Sequence, residues 1–369
     1  MRDIAFAYDK SAISELLPKV YLSKNTLSDF LARLASQRPG MLAFMRSYTN
    51  YQDDTIIFDG SSFLSGSKEN PFVDKGYCPG KRNRTQIRLI YAFSQSKKMP
   101  VYFRVLPGNV TDMSSFETCI AEMSKTNCLA VLDKGFNSAA NIKTMKQNDI
   151  SFIMALRVDA AQAKDVLIEP GMIERGEVQF FQYHKRVIFY RSCPSTAKGC
   201  TVYAFYDNER HKEMVEGYFR SQGDSEGNLP EDLEVGLYEK TKHFGTSVLL
   251  TSTDLSAKEV YNVYKTRWDI EEMFDHHKNT LGFDMQGETR QHLMEGWAFI
   301  EFLSLLMFYS LNSLLSEKDL LKTYTVKTLL FRSSVVTQVR TNGKWAIYNM
   351  TKKMGDLYRE LGVTVEPIA

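Results

Sequence analysis

Three acidic residues carry the chemistry that this sequence could perform: Asp59 in IIFDGSSF, Asp133 in AVLDKGF, and Glu271 in the run YKTRWDIEEMFDHHK at 264–278. Each aspartate follows an apolar, strand-like run, which places a carboxylate where the edge of a sheet opens. Gly60 and Gly135 beside them permit close backbone approach. Taken singly, either aspartate reads as a turn former. Together with a helical glutamate they make three carboxylates able to converge. Such a set suits hard divalent cations, and Mg²⁺ takes few protein carboxylates and leaves positions for phosphate oxygens. Two ions about 3.5–4 Å apart would activate a water or 3′-hydroxyl and stabilise the leaving oxygen of a phosphodiester.

The glutamate's surroundings follow from helical geometry. At about 100° per residue, Tyr264, Arg267, Glu271 and Lys278 share an arc roughly 60° wide. Val263, Ile270, Phe274 and Leu281 form an apolar stripe beside it. Glu271 is thus expected at the rim of a core, among cations. The plainer alternative is a solvated helix with an Arg267–Glu271 salt bridge at i,i+4. Asp275 is a rival carboxylate on the same arc, and Glu272 a weaker one. His276 and His277 point away from the arc, which fits packing or surface better than a metal; Trp268 is placed to touch substrate or to cover the core.

The elements that must position these residues can be read along the chain. Residues 1–50 read as helical, with caps at Ser11-x-x-Ser14 and Ser23-x-x-Thr26 and a break at Arg38-Pro39-Gly40. Strands are expected at 54–60, 87–94 and 100–106, then a helix capped by Thr111 or Asp112. A strand at 128–136, a short helix and a strand at 151–156 complete the order β-β-β-α-β-α-β. From about 158 to 250 strand-like runs dominate, interrupted by the acidic SQGDSEGNLPEDLEVG. Their aromatics, Phe180 to Tyr206, fit a sheet core better than a stacking site for a flipped base. Helical patterning returns from Ser256 past Leu281 and again over 294–315. The apolar stretch 297–315 carries Glu301 and several serines; it reads as a buried core helix, too short and interrupted to span a bilayer.

Composition narrows the class. In 369 residues, 43% are hydrophobic and 24% charged, which excludes a largely disordered chain. A net charge of +2 excludes a uniformly basic nucleic-acid coat. Locally the balance differs: residues 75–104 hold eight cations and no acid, whereas 207–239 hold ten acids and three cations. The first run, which includes Lys81, Arg82 and Arg84, is expected to face DNA. Five cysteines without a C-x-x-C pair argue against zinc or a disulfide framework and fit a reducing compartment. The N-terminal run lacks a signal-peptide core, so a cytoplasmic location is expected.

The two aspartate motifs and the spacing Y-x2-R-x3-E-x6-K resemble the signature regions of DDE transposases of bacterial insertion sequences. The last matches the YREK signature of the insertion-sequence-four group at Tyr264, Arg267, Glu271 and Lys278. PGNVTD at 107–112 and the run SVLLTSTDLSAKEVYNVYKTRWDIEEMFDHHK are also similar to that group; the resemblance covers about residues 50–315. It implies an α/β fold with a ribonuclease H-like core, a mixed sheet with flanking helices, interrupted by a β-rich insertion domain. Glu271 lies 138 positions after Asp133, which leaves room for that insertion. The implied organisation is a helical N-terminal region at 1–50, core at 51–157, insertion at 158–250, core with the Glu-bearing helix at 251–315, and a helical C-terminal region at 316–369. With 58 residues before Asp59, the N-terminal DNA-binding part is expected to be compact or truncated.

By the same resemblance, Asp59, Asp133 and Glu271 would bind two Mg²⁺ or Mn²⁺ ions. Arg267 and Lys278 would contact DNA phosphates, and Tyr264 would pack on or hydrogen-bond to the terminal DNA. The implied partners are double-stranded transposon inverted repeats and target DNA, with a homodimer in the complex and no membrane. The implied reaction nicks transposon ends, passes through a hairpin and inserts the ends into target DNA. A nuclease without strand transfer and a truncated DNA-binding regulator of transposition are the alternatives.

Overall fold

A computed structural model of the chain describes residues 3–48, 53–65, 67, 70, 72–75, 85–110, 112–124, 127–222, 237–279, 291–342 and 344–364. Four helices lead: α1 (Ile4–Asp9), α2 (Ile13–Leu16), α3 (Lys24–Ala35) and α4 (Arg38–Tyr48). Ser23 caps α3 by accepting from the Thr26 N–H. Arg38-Pro39-Gly40, expected to break the helical run, instead opens α4. Proline is tolerated in a first turn because the N–H it lacks has no helical partner there.

The next stretch follows the order read from the sequence, with β2 added: β1 (Thr55–Leu64), β2 (Asp74–Lys75), β3 (Thr85–Ser94), β4 (Met99–Pro107), α5 (Asp112–Met123), β5 (Leu129–Leu132), α6 (Ala139–Gln147) and β6 (Ser151–Leu156). Strand β1 pairs antiparallel with β3 and parallel with β5, which pairs parallel with β6; β4 flanks β3. These strands read as apolar runs because both their faces are covered. Ile56 to Phe58, Leu89 to Phe93, Ala130 to Leu132 and Phe152 to Met154 are all buried.

Residues between 158 and 250 form α7 (Pro170–Glu174), β7 (Gln179–Tyr183), β8 (Arg186–Pro194), β9 (Thr201–Asp207), α8 (Asn208–Gln222), α9 (Leu237–Thr241) and β10 (Thr246–Thr251). Their strands do not make a sheet of their own. Strand β10 pairs antiparallel with β6, and β9, β8 and β7 follow, so one ten-stranded mixed sheet runs through the molecule. Phe181, Tyr183, Tyr190 and Tyr203 pack around buried Phe205, as expected of sheet core, while Phe180 is exposed.

The chain ends with α10 (Ala257–Lys265), α11 (Trp268–Asn279), α12 (Gln291–Glu317), α13 (Val326–Ser334), the hairpin β11 (Thr337–Thr341) and β12 (Lys344–Tyr348), and α14 (Lys352–Glu360). The hairpin departs from the helical C-terminal region expected. Helix α12 is also longer than expected: Leu293–Glu317 is long and apolar enough to cross a membrane by length and composition. Here Leu293, Met294, Ala298, Phe302 and Leu305 are buried, and the helix lies across α3 and β4. Gly296 permits the approach to α3, since a Cβ there would stand 2.4 Å from the Leu31 carbonyl oxygen.

A charged hub joins the leading helices to the sheet. Arg38 donates to Glu122 at 2.6 Å and to the Phe103 carbonyl at 2.9 Å; Tyr102 donates to Glu122 at 2.7 Å, and Arg104 pairs with its other oxygen. Burial pushes the Glu122 carboxyl up, but the Arg38 and Arg104 hydrogen bonds outweigh it and hold the group below the usual range. This corrects the reading of 75–104 as an unopposed basic face: Arg104 is matched by Glu122 and Lys98 by Asp269, acids from outside the run.

A second buried group lies where α11 and α12 meet the sheet. His277 packs edge-on against Phe63 and Tyr91, with its Nε2 3.9 Å from Glu301. Burial lowers the His277 imidazole to about 4 and raises the Glu301 carboxyl to about 7, so between those values the pair is neutral rather than an ion pair. His277 therefore has the packing role read from its helical angle, and His276 stacks on Phe308.

Two stability predictions follow from these groups. Glu122→Gln should cost roughly 2–4 kcal/mol at pH 7 by removing the nearest charge partner of two largely buried arginines, leaving Arg38 only Glu295 at 3.8 Å. Because the Glu122 pKa is depressed, that contribution should fade as pH falls below 4.5; denaturant melts of the two proteins across pH measure it. Glu301→Gln should act in the opposite sense. A raised carboxyl pKa loses stability as pH climbs from 4.5 through about 7, so the variant's melting temperature should rise relative to wild type over that window, and an unchanged difference would contradict the burial of Glu301.

Candidate active site

The parallel pairing of β1 with β5 sets the site. Phe58 stands opposite Leu132, so Asp59 and Asp133 are the next residues at the same edge of neighbouring strands. Asp59 does not end its strand, as the sequence suggested; β1 runs on to Leu64, with Asp59 still paired to Tyr91 of β3. Asp133 does end β5, and a 3₁₀ turn over Lys134–Phe136 follows.

The third acid comes from the joint between α10 and α11. One continuous helix was expected over this stretch. Ser256 does open it, with a capping box to Glu259, but α10 stops at Lys265 and α11 starts at Trp268. Between them the chain tightens: Arg267 N–H donates to the Tyr264 carbonyl and Asp269 N–H to that of Thr266, both three residues back, while the Thr266 hydroxyl donates to the Val263 carbonyl. Ile270, Met273 and Phe274 anchor α11 against the core.

Arg267 sits at this joint and reaches both other elements. Its Nη1 donates to Asp59 Oδ2 at 3.3 Å and its Nη2 to Glu271 Oε1 at 2.6 Å. The other Asp59 oxygen accepts from the Gly60 N–H at 2.8 Å. The Arg267 side chain is 20% exposed. Burial works against its charge, but Tyr264, Asp59, Glu271 and Asp133 together raise its pKa further. The Tyr264 phenol, beneath the guanidinium, is pushed up to about 12, chiefly by burial.

The i,i+4 pair foreseen as the plain alternative is therefore present, yet it belongs to a partly buried cluster. Glu271, not Asp275 or Glu272, is the helical acid tied to Asp59; both rivals are exposed. The expected closed set of three carboxylates is not formed. Among the described residues no group of three His, Cys, Asp or Glu side chains stands ready to hold a metal ion. The Arg267 guanidinium stands between Asp59 and Glu271 and bonds to both.

Asp59 also opens on a cleft of about 1270 Å³ whose lining includes Asp133, Tyr264, Lys278, Ser61 and Ser62. Lys278 lies over the Phe63 ring at 5.1 Å. Arg88, from the basic run expected to face DNA, also lines the cleft, with two cations that the sequence reading did not single out as site residues, Lys134 and Arg157. A signal existed for the last, since Arg157 follows β6 just as Asp133 follows β5, and parallel strands end at one edge. Arg157 is paired through its Nε and Nη2 with Asp159 at 2.9 and 2.8 Å. Trp268 is 65% exposed beside the joint. Lys81, Arg82 and Arg84 lie outside the described residues.

Comparisons with known proteins bear on this arrangement. No curated protein matches the sequence. Among solved structures, the piggyBac transposase synaptic complex with hairpin DNA is similar, with a TM-score of 0.44 and 12% identity over 85% of this chain and 58% of that one. The Mos1 transposase paired-end complex with the left transposon end gives 0.20 and 12% over 38% and 47%. The Mos1 mariner paired-end complex with Mn gives 0.19 and 12% over 41% and 56%. The chain thus spans about half to three-fifths of these proteins. The model of the transposase DDE domain matches residues 50–307, a span that holds all three acids and the joint that carries Arg267. On that match, the chain belongs to the transposase DDE domain family.

Proposed function

We propose that the protein is a DNA transposase of the insertion-sequence-four group, cleaving phosphodiesters at transposon ends and transferring the strands into target DNA. The single observation that carries this reading is the placement of Asp59 and Asp133 at one edge of adjacent parallel strands, with Glu271 joined to Asp59 through Arg267. Family membership supports it, as does the YREK spacing. The β-β-β-α-β-α-β run of 51–157 suits a ribonuclease H-like core, with 158–250 as an insertion and 251–315 returning the glutamate.

The donor set fits a divalent cation. Asp59 and Glu271 already converge on a positive group, and Asp133 faces the same cleft. Asp59, Asp133 and Glu271 would hold Mg²⁺ or Mn²⁺, two ions in all, with phosphate oxygens completing the coordination. Bound there, the metal supplies an activated water or 3′-hydroxyl and stabilises the leaving oxygen. The chain's own groups do the rest. Lys278 is a point charge for a phosphate, and the planar fork of Arg267 suits a phosphate clamp. Arg88 and Lys134 add positive potential along the cleft, and Tyr264 lines it.

The partners in this reading are duplex transposon ends and target DNA, held by a homodimer in a cytoplasmic, nucleoid-associated bacterial assembly. Helix α12 serves as a core helix, consistent with its packing on α3 and β4.

With flanking inverted-repeat DNA and Mg²⁺ or Mn²⁺, wild-type protein should cleave and join ends. Asp59→Asn, Asp133→Asn and Glu271→Gln should each lower the rate by about a hundredfold or more, since even outer partners of metal ligands are worth roughly 10–100-fold. Cleavage that survives all three would overturn the assignment, joining that never occurs would identify a nuclease, and DNA binding without either reaction a regulator. Lys278→Ala should weaken DNA binding evenly across sequences and reduce the salt slope by about 1, read from binding isotherms at several salt concentrations.

A further inference from the structure

We infer that Arg267 is the resident counter-cation of Asp59 and Glu271, and that a divalent metal reaches these carboxylates by displacing it. This rests on the proposed role of the two acids as metal ligands. The guanidinium uses its two terminal nitrogens on two different carboxylates, at 3.3 and 2.6 Å, one of them 208 residues away in sequence and the other four. Both Asp59 oxygens are engaged, one by Arg267 and one by the Gly60 N–H. A divalent ion between the same acids would meet a guanidinium a few ångströms away in a partly buried site, where like charges repel strongly. The two cations therefore compete for one position.

The surroundings suit an exchange. Arg267 lies on the short turn between α10 and α11, where the helical bonds are already of the tighter i→i−3 type. Its Nε is buried with no hydrogen-bond partner among the described residues, so the guanidinium is under-satisfied where it rests. A phosphate of bound DNA would offer the released fork an anionic, bidentate acceptor in place of the carboxylates it leaves. Metal and DNA should then bind cooperatively: DNA draws the guanidinium away, and the carboxylates become open to metal. By linkage the coupling is reciprocal.

The test measures Mn²⁺ binding to the full chain without DNA, by the electron paramagnetic resonance of free Mn²⁺. Arg267→Gln should bind Mn²⁺ more tightly than wild type, by roughly five- to a hundredfold. Lys278→Gln, which removes a charge from the same cleft, should change the affinity less than twofold. Arg267→Lys keeps the charge without the fork and should fall between, which covers the case of an unfolded Gln variant. Duplex end DNA should raise Mn²⁺ affinity in wild type and not in Arg267→Gln. Equal or weaker Mn²⁺ binding by both Arg267 variants, or an equal gain in Lys278→Gln, would overturn the inference. A different failure belongs to the underlying reading: if no variant binds Mn²⁺, or if adding Asp59→Asn or Glu271→Gln leaves binding to the Arg267 variants unchanged, these acids are not the metal site.

Discussion

The ion pair network of one guanidinium, shared by Asp59 and Glu271, is the constraint on which the site depends. It ties the middle of β1 to the joint between two helices far along the chain. Without a positive charge, the Asp59 and Glu271 carboxylates would repel one another across the place that Arg267 fills. With it, Asp59 and Glu271 are both bonded to one guanidinium. The rest of the fold serves that placement: the β1–β5 register sets Asp59 beside Asp133, and the apolar face of α11 fixes the depth of Glu271.

Much of this was legible in the sequence, for identifiable reasons. The aspartates stood out because buried parallel strands are continuous apolar runs, and a charge directly after one is conspicuous. The relation of Arg267, Glu271 and Lys278 followed from helical spacing over a few residues, a range in which a tight turn changes little. The turn itself was hidden, since Thr266-Arg267-Trp268 contains no glycine or proline. The occupation of the acid pair by Arg267 was foreseen only as a local salt bridge, because Asp59 enters it from another part of the chain.

Long-range pairing was the part least accessible. The strands between 158 and 250 were readable as strands, but nothing local says that β10 docks on β6 and carries β9, β8 and β7 into the same sheet. The basic run 75–104 misled for a similar reason: Glu122 and Asp269, which face Arg104 and Lys98, lie outside the window in which the charge was counted. Local charge excess describes a segment, whereas a surface is built by the fold. The long helix α12 was more accessible, since Glu301 and the serines in its apolar run argued for a core helix, and it packs on α3 and β4.

The central claim is that Asp59, Asp133 and Glu271 are the ligands of a metal-bearing phosphodiester site. The most direct measurement is a crystal structure of the protein on a duplex transposon end with Mn²⁺, read by anomalous scattering. The account predicts anomalous peaks at about 2.1 Å from carboxylate oxygens of Asp59 and Asp133, with Glu271 in the same cluster and Arg267 turned onto a phosphate. Peaks on Asp275 or Glu272 instead, or none in the cleft while DNA is bound, would contradict it.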